Sequence, residues 1–452
     1  MTHKHEDTDL VVATGVGRLS GSPSLPGDKS ISHRLALLAS VAEGTSLING
    51  FAQSADCSST LECVSRLGIT VERSGDRVAV HGRGLRGYHP AEAPVRLDAG
   101  NSGSTIRMLS GLLAGQKTRS IIDGDESLRR RPMSRIMEPL RLMGAGLTAR
   151  DGAFPPLTID GNNLNAIEYT SPIASAQVKT CVLFAGLLAA GVTTFKEPGV
   201  SRTHSELMLR EFHARISFDP DRLADGISIE GNHELTPVTY DVPGDPSSAA
   251  FFAAAAAALP GSTLVMKSVG LNPSRIAFLE ILKRLGARVE IADARITGGE
   301  PVGDLVVAAQ PLCCGDTPLV LSGSVIPNLI DEIPVLAVVA SQAEGRFEVR
   351  DARELRIKES DRIRTVVEGL RALGIDVEEY EDGFGLVGPQ TISGGTVQSR
   401  GDHRIAMAFT VAGLLGKRPT KIVGASCARV SFPGFYRALE SVLDEGSLEG
   451  VE

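Results

Sequence analysis

An α/β fold of six repeated units in two lobes is predicted by three observations. Glycine stops recur at Gly44, Gly115, Gly191, Gly261, Gly345 and Gly416, at intervals of 71, 76, 70, 84 and 71 residues. Each stop closes an Ala/Leu/Val-rich stretch that is apolar nearly all round, the pattern of a helix buried between other layers. After most of these stretches come an amphipathic segment and then residues alternating with period two. One unit therefore reads as strand, buried helix, strand, amphipathic helix and two strands, βαβαββ. A period of roughly 75 residues is longer than the common solenoid repeats.

The elements follow in order. Residues 11–24 are extended sequence with no helix before them. Each buried helix is expected to end at its glycine, which supplies a left-handed turn. Amphipathic helices are expected over residues 131–144, 272–286 and 359–374, several with Ser, Asn or Pro near the N-cap and each closing on Leu-Gly or Met-Gly. Strand–turn–strand readings follow at 69–81 and 287–297, with Gly-Asp and Ala-Asp at the turns. The sixth unit stops at an amphipathic helix over 432–445, with no hairpin after it. The N-terminal segment is therefore expected to complete the last unit's sheet. Residues 1–24 with 241–452 would form one lobe and residues 25–240 the other, three units each.

Composition excludes several classes. The chain has 452 residues, 42% hydrophobic and 22% charged, as expected of a globular protein rather than a disordered one. Its longest unbroken apolar run is the eleven residues 249–259, whereas a membrane span needs about 20. The N-terminus, MTHKHEDTD, is charged and has no apolar core, so no secretory signal is expected, and it is too acidic for a transit peptide. Net charge is −8 with no long basic run, which disfavours a nucleic-acid partner. Six cysteines occur without a Cys-x-x-Cys pair; reduced thiols and a metal-free cytosolic protein are expected.

The loops ahead of the buried helices carry the chemistry. Asp28-Lys29-Ser30-Ile31-Ser32-His33-Arg34 opens the first and Asn101-Ser102-Gly103-Ser104-Thr105-Ile106-Arg107 the second. Ser175-Ala176-Gln177-Val178-Lys179, Asp245-Pro246-Ser247-Ser248, Asp331-Glu332 and Asp402-His403-Arg404 stand at the other four. A helix N-terminus offers free N–H groups and partial positive charge, and nearby Lys and Arg add more. Any one such loop is most simply a capped helix start. Six at equivalent places point instead to a site for a polyanionic small molecule between the lobes. The G-x-G-x-x-G at 82–87 is rejected as a dinucleotide site, because Tyr88-His89-Pro90 cannot open the helix it requires. No P-loop and no G-x-S-x-G elbow occurs. His204 and His403 are read as structural.

Six motifs, Leu25-Pro26-Gly27-Asp28-Lys29-Ser30-Ile31-Ser32-His33-Arg34, Gly100-Asn101-Ser102-Gly103, Arg131-Pro132, Ser175-Ala176-Gln177-Val178-Lys179, Lys358-Glu359-Ser360-Asp361-Arg362 and Asp402-His403-Arg404, stand in this order along residues 19 to 439. Together they resemble the enolpyruvyl transferases, most closely the branch that acts on shikimate 3-phosphate. The resemblance implies an inside-out α/β barrel architecture: two lobes, each of three units around buried parallel helices. It implies transfer of the enolpyruvyl group of phosphoenolpyruvate to the 5-hydroxyl of shikimate 3-phosphate, by addition and elimination of phosphate, toward chorismate and the aromatic amino acids. It further implies no cofactor, no metal, a cytoplasmic location, and a monomer without membrane or nucleic-acid partners.

By the same resemblance, Lys29, Gly103, Arg131, Gln177, Arg362 and Arg404 would bind phosphoenolpyruvate. Lys29, Ser30, Arg34, Ser175, Ala176, Gln177, Ser201, Arg202, Asp331 and Lys358 would bind shikimate 3-phosphate. Two anions that repel each other must be brought together, which explains the cations. Asp331 would be the base for the 5-hydroxyl and Glu359 the acid for the methylene carbon, with Lys29 assisting. Glu332 is expected to be a capping or structural carboxylate. The sequence departs from the family where many members carry a lysine before Ser/Thr-Phe-Pro: Val430 stands there, with Arg429 beside it. The Arg202–Glu206 stretch resembles the glyphosate-tolerant subgroup while Gly103 does not, so partial sensitivity is implied. An inhibition curve against phosphoenolpyruvate reads it. Two rivals stand beside this reading. A UDP-N-acetylglucosamine enolpyruvyl transferase usually has a reactive cysteine after its second unit's helix, yet no cysteine lies between Cys63 and Cys181. A binding protein for a phosphorylated metabolite would have no use for the carboxylates.

Overall fold

In this computed structural model of the chain, residues 10–12, 17–219, 222, 225–444 and 448–449 are described. Six four-stranded sheets share one plan: the first two strands run parallel and the third and fourth join antiparallel. Val95–Asp98, Arg119–Asp123, Phe154–Asp160 and Gly146–Arg150 show it in sequence. Parallel neighbours need a crossover, and in four of the sheets a buried helix supplies it. Among the described residues the six sheets remain separate, so the strands form no closed barrel.

The chain divides into two compact units. The N-terminal unit comprises Gly27–Pro243 and Ile296–Glu300; the C-terminal unit holds the described residues up to Pro26, Gly244–Arg295, and those from Pro301 on. The bounds at Pro26/Gly27 and Pro243/Gly244 lie just beyond the crossings expected at 24 and 240. Inclusion of Ile296–Glu300 in the N-terminal unit had no sign in the pattern.

In the N-terminal unit, helices α1 (Lys29–Val41), α3 (Gly103–Ala114) and α5 (Ala176–Gly186) are buried, while α2 (Ala55–Arg66), α4 (Ser134–Leu142) and α6 (His204–Glu211) are amphipathic. The C-terminal unit repeats this with buried α7 (Pro246–Ala258), α10 (Ile333–Ala340) and α12 (His403–Leu414). Its outer helices are α8 (Ala277–Arg284), α11 (Arg362–Ala372) and α13 (Phe435–Glu440), and a short α9 (Ile326–Leu329) precedes α10. Each unit has its own apolar core. Small residues let the central helices approach: a Cβ on Gly111 of α3 would stand 2.2 Å from the Cys181 carbonyl oxygen of α5. Around α7, Phe251 and Phe252 meet Phe432 and Phe435 at ring distances of 5.8–6.1 Å.

The chain termini complete the last sheet. Leu10–Val12 pairs antiparallel with Thr420–Val423 and with Leu448–Glu449. Strands at the crossings belong to distant sheets. Thr239–Asp241 runs parallel to Glu43–Asn49, and Ser20–Gly21 runs parallel to Thr263–Gly270.

Two expectations need correction. The hairpin expected within 287–297 is one strand, Arg288–Thr297, beside Glu300–Ala308. Its turn is Gly298-Gly299, both at positive φ, which a two-residue hairpin turn favours; Asp293 is an irregularity inside the strand at φ 49°. The glycine stops also do not cap their helices in the expected way. Gly115 is a C-cap in right-handed conformation, and the caps of α1, α5 and α7 are Ala42, Leu187 and Leu259. Gly44, Gly191, Gly261 and Gly345 do have positive φ, but they stand beyond the cap, at or just before the entry to the next strand. Their freedom turns the chain into the sheet rather than ending the helix.

None of the six cysteines forms a disulfide. Among the described residues no single helix is long and apolar enough to cross a membrane, and no group of His, Cys, Asp and Glu is arranged to hold a metal ion.

Candidate functional site

Five of the six buried helices begin with a side-chain cap. Asp28 accepts from Ile31 N at 2.9 Å, Ser102 from Thr105 N at 3.0 Å, and Ser175 from Val178 N at 3.5 Å. Asp245 accepts from Ser247 N at 2.8 Å and Asp402 from Arg404 N at 3.0 Å. Each such cap is worth about 1 kcal/mol to its helix. The capping loops also fix where the adjoining cations project.

In the N-terminal unit the expected residues form two linked groups. Arg34 of α1 donates to the Ser30 carbonyl at 2.9 Å, Ser205 Oγ at 2.7 Å and Thr180 Oγ1 at 3.0 Å. Arg202 donates to Ser30 Oγ at 3.3 Å, so Ser30 lies between two guanidinium groups. The second group surrounds the start of α3. A Cβ on Gly103 would stand 2.6 Å from Arg107 Nη1 and 3.5 Å from Arg131 Nη1; glycine is what lets both arginines lie against the helix start. Arg131 donates to Asn101 Oδ1 at 2.7 Å and Ser127 Oγ at 3.1 Å. Arg107 donates to Gln177 Oε1 at 2.8 Å, and Gln177 Nε2 donates to Ser104 Oγ at 3.0 Å. Lys29 Nζ lies 3.0 Å from Asp56 Oδ2. Ser175 and Ser201 both donate to Glu197, and Ala176 opens α5.

A buried chain of neutral groups ties α1, the middle of α2 and the start of α3 together. It runs from His33 Nδ1 to Thr60 Oγ1 at 2.7 Å, on to Thr105 Oγ1 at 2.6 Å, and then to Ser102 Oγ at 2.7 Å. Burial pushes the His33 imidazole down to about 3, with Lys29 and Arg34 acting in the same direction and Asp56 against it. His33 is therefore a neutral hydrogen-bonding group at neutral pH.

The C-terminal unit gathers its expected residues around one guanidinium. Arg362, at the start of α11 and 1% exposed, lies 3.2 Å from Asp331, 2.5 Å from Glu359 and 2.9 Å from Asp402. Burial opposes its charge, but Asp402, Glu359 and Asp331 outweigh it and hold Arg362 above the ordinary guanidinium range. Arg404 Nε stands 3.3 Å from the same Asp331 Oδ1. Lys358 lies 4.0 Å from Glu354; loss of water around it lowers its ammonium pKa, although Asp331 and Glu354 pull the other way.

The capping role expected of Glu332 is not seen: its side chain makes no capping bond to α10. Instead it accepts from Ser247 Oγ at 2.5 Å and lies 4.0 Å from Arg404. His204 pairs with Glu300 at 2.6 Å, as a structural histidine would. Arg429 is exposed in the 3-10 turn Ala425–Val430.

Arg107 and Asp402 stand in the segments that open buried helices, where the sequence assigns neither a role. Arg107 stands one helical turn after Gly103, so spacing alone could have placed both on one face. Asp56 and Glu197 carried no signal, because each reaches its partner across folded chain. The arrangement as a whole can hold anions at helix starts and supplies carboxylates able to move protons.

Many known proteins are similar to this chain. A family profile described as EPSP synthase (3-phosphoshikimate 1-carboxyvinyltransferase) matches residues 13–439. The 3-phosphoshikimate 1-carboxyvinyltransferase of Alkaliphilus metalliredigens is 46% identical over 96% of this chain and 100% of its own length. That of Solibacter usitatus is 50% identical over 94% and 98%. The solved structure of EPSP synthase from Acinetobacter baumannii superposes with a TM-score of 0.86 at 38% identity, covering 98% of this chain and 100% of that one. The enolpyruvyl transferase NikO from Streptomyces tendae shares the fold, with a TM-score of 0.78 at 18% identity over 98% and 99% of the two chains.

Proposed function

This chain belongs to the EPSP synthase family, and from that premise we propose the part each side chain plays in its reaction. It is a 3-phosphoshikimate 1-carboxyvinyltransferase of the shikimate pathway, with phosphoenolpyruvate and shikimate 3-phosphate as substrates. In our assignment Lys29, Gly103, Arg131, Gln177, Arg362 and Arg404 take phosphoenolpyruvate. Ser30, Arg34, Ser175, Ala176, Ser201, Arg202 and Lys358 take shikimate 3-phosphate, with Lys29, Gln177 and Asp331 also in contact.

The observation that carries the assignment is Asp331 shared by Arg362 and Arg404. An arriving anion competes for those two guanidinium groups and frees the carboxylate. Asp331 then takes the proton of the 5-hydroxyl as its oxygen attacks the enol carbon. Glu359, beside the same Arg362, gives a proton to the methylene carbon. A tetrahedral adduct results; loss of phosphate and return of the methyl proton give the enolpyruvyl ether. Lys29 assists proton transfer, and the fixed cations stabilise charge without reorganising.

Phosphate release tests this reading. The protein should liberate phosphate only when both substrates are present. Asp331→Ala should lower turnover by about 10²–10⁴-fold, the usual size of a general-base contribution. Turnover retained by that variant would remove Asp331 from the role.

A further inference from the structure

Beyond the residues proposed to touch substrate, the N-terminal unit contains a buried charge cluster that the reaction does not use. Glu197 follows directly on the strand Val192–Lys196, and its side chain is 5% exposed. Its Oε1 accepts from Ser201 N at 2.9 Å, Ser201 Oγ at 2.8 Å and Lys179 Nζ at 3.0 Å. Its Oε2 accepts from Ser175 N at 3.1 Å. Four donors therefore converge on this carboxylate, three on Oε1 and one on Oε2. Lys179, 1% exposed, reaches Glu206 at 2.7 Å and the Ser201 carbonyl at 3.3 Å as well.

We infer that Glu197 is a positioning residue for shikimate 3-phosphate, setting the two loops that carry Ser175 and Ser201 in mutual register. Both loops are irregular over residues 171–175 and 197–203. A ladder cannot hold them, although Ser171 N does reach the Lys196 carbonyl at 2.8 Å. The carboxylate bonds one backbone N–H from each loop, and Lys179 closes the arrangement from α5. Bonds to a buried charge are stronger and more directional than neutral ones, so a shift of either serine has to break one. A neutral amide at this place turns an NH₂ toward at least one N–H donor. The inference rests on the assignment of Ser175 and Ser201 to shikimate 3-phosphate.

Steady-state kinetics of the full-length enzyme provide the test. Glu197→Gln should raise KM for shikimate 3-phosphate by about tenfold or more, while kcat and KM for phosphoenolpyruvate stay within about twofold. Glu197→Asp should raise it less. Glu206→Gln is the control: it touches the same lysine but neither serine, so it should lower thermal stability and leave both KM values alone. If Glu197→Gln is not recovered folded, Glu197→Asp carries the test in the same direction. Unchanged KM in the folded variant, or equal rises for both substrates, would overturn the inference. Ser201→Ala separates this from the underlying assignment. If it leaves KM for shikimate 3-phosphate unchanged, the assignment fails. If it raises KM while the Glu197 variants do not, only the positioning role fails.

Discussion

The named contacts of the candidate-site arginines differ in kind between the two units. Within the N-terminal unit, Arg34, Arg107 and Arg131 rest on hydroxyl, amide and carbonyl oxygens: Ser205, Thr180, Gln177, Asn101 and Ser127. Within the C-terminal unit, Arg362 and Arg404 rest on carboxylates: Asp331, Glu359, Asp402 and Glu332. A neutral acceptor orients a guanidinium without cancelling its charge. A carboxylate cancels it, and gains a fixed location in return. The first arrangement keeps positive field for an anionic ligand; the second places acids and bases. Arg34, Arg107 and Arg404 stand in the first two turns of buried helices, and Arg131 and Arg362 stand just before or at the start of outer ones, so one backbone plan serves two kinds of chemistry.

The contrast predicts that arginines from the two units fail differently. Arg362→Met should show the largest effect on stability, because it leaves three carboxylates without their shared cation in a buried setting. Breaking a buried pair from one side costs about 3–5 kcal/mol. A fall in urea midpoint that amounts to this energy when multiplied by an unchanged m checks it. Arg131→Ala should do the opposite: it removes a cation that donates to the neutral Asn101 and Ser127 oxygens. KM for phosphoenolpyruvate should rise about 10–100-fold, in line with about 1.5–3 kcal/mol for a charged hydrogen bond, with a much smaller change in urea midpoint. Equal loss of stability in both variants would erase the distinction between the units.

Much of the architecture was legible in the chain because its signals are local. Apolar stretches such as 246–258 and 403–414 declare buried helices by composition alone, and the shortage of a hairpin after the sixth unit called for the strand that Leu10–Val12 supplies. The misread hairpin shows the limit of such signals. Arg288–Thr297 alternates well enough to suggest two strands, and only the diglycine at 298–299 fixes where the chain reverses. The site was legible where it sits on helix starts, as at Lys29, Gly103 and Arg404. What escaped is what depends on distance in sequence. Glu197 meets Ser175 across 22 residues, and Ser247 meets Glu332 across 85. No spacing rule links such partners, because tertiary packing alone brings them together.

The smallest expected effect sharpens the comparison from the neutral side. His33 anchors the hydroxyl chain of the N-terminal unit, buried and with its pKa pushed down to about 3. In the unfolded chain an imidazole titrates near 6.5. Between those values the unfolded state binds a proton that the native state refuses, so stability falls as pH drops through 6.5. The loss attributable to this one group should reach about 2 kcal/mol at pH 5. His33→Asn keeps an acceptor or donor for Thr60 and has nothing to titrate. Urea unfolding of both proteins at pH 7 and pH 5 should therefore show the parent losing about 2 kcal/mol more than the variant. Parallel losses would mean that the imidazole accepts its proton in place. The unit would then tolerate a buried cation beside Lys29 and Arg34, and the distinction between neutral and ionic support would be weaker than the geometry indicates.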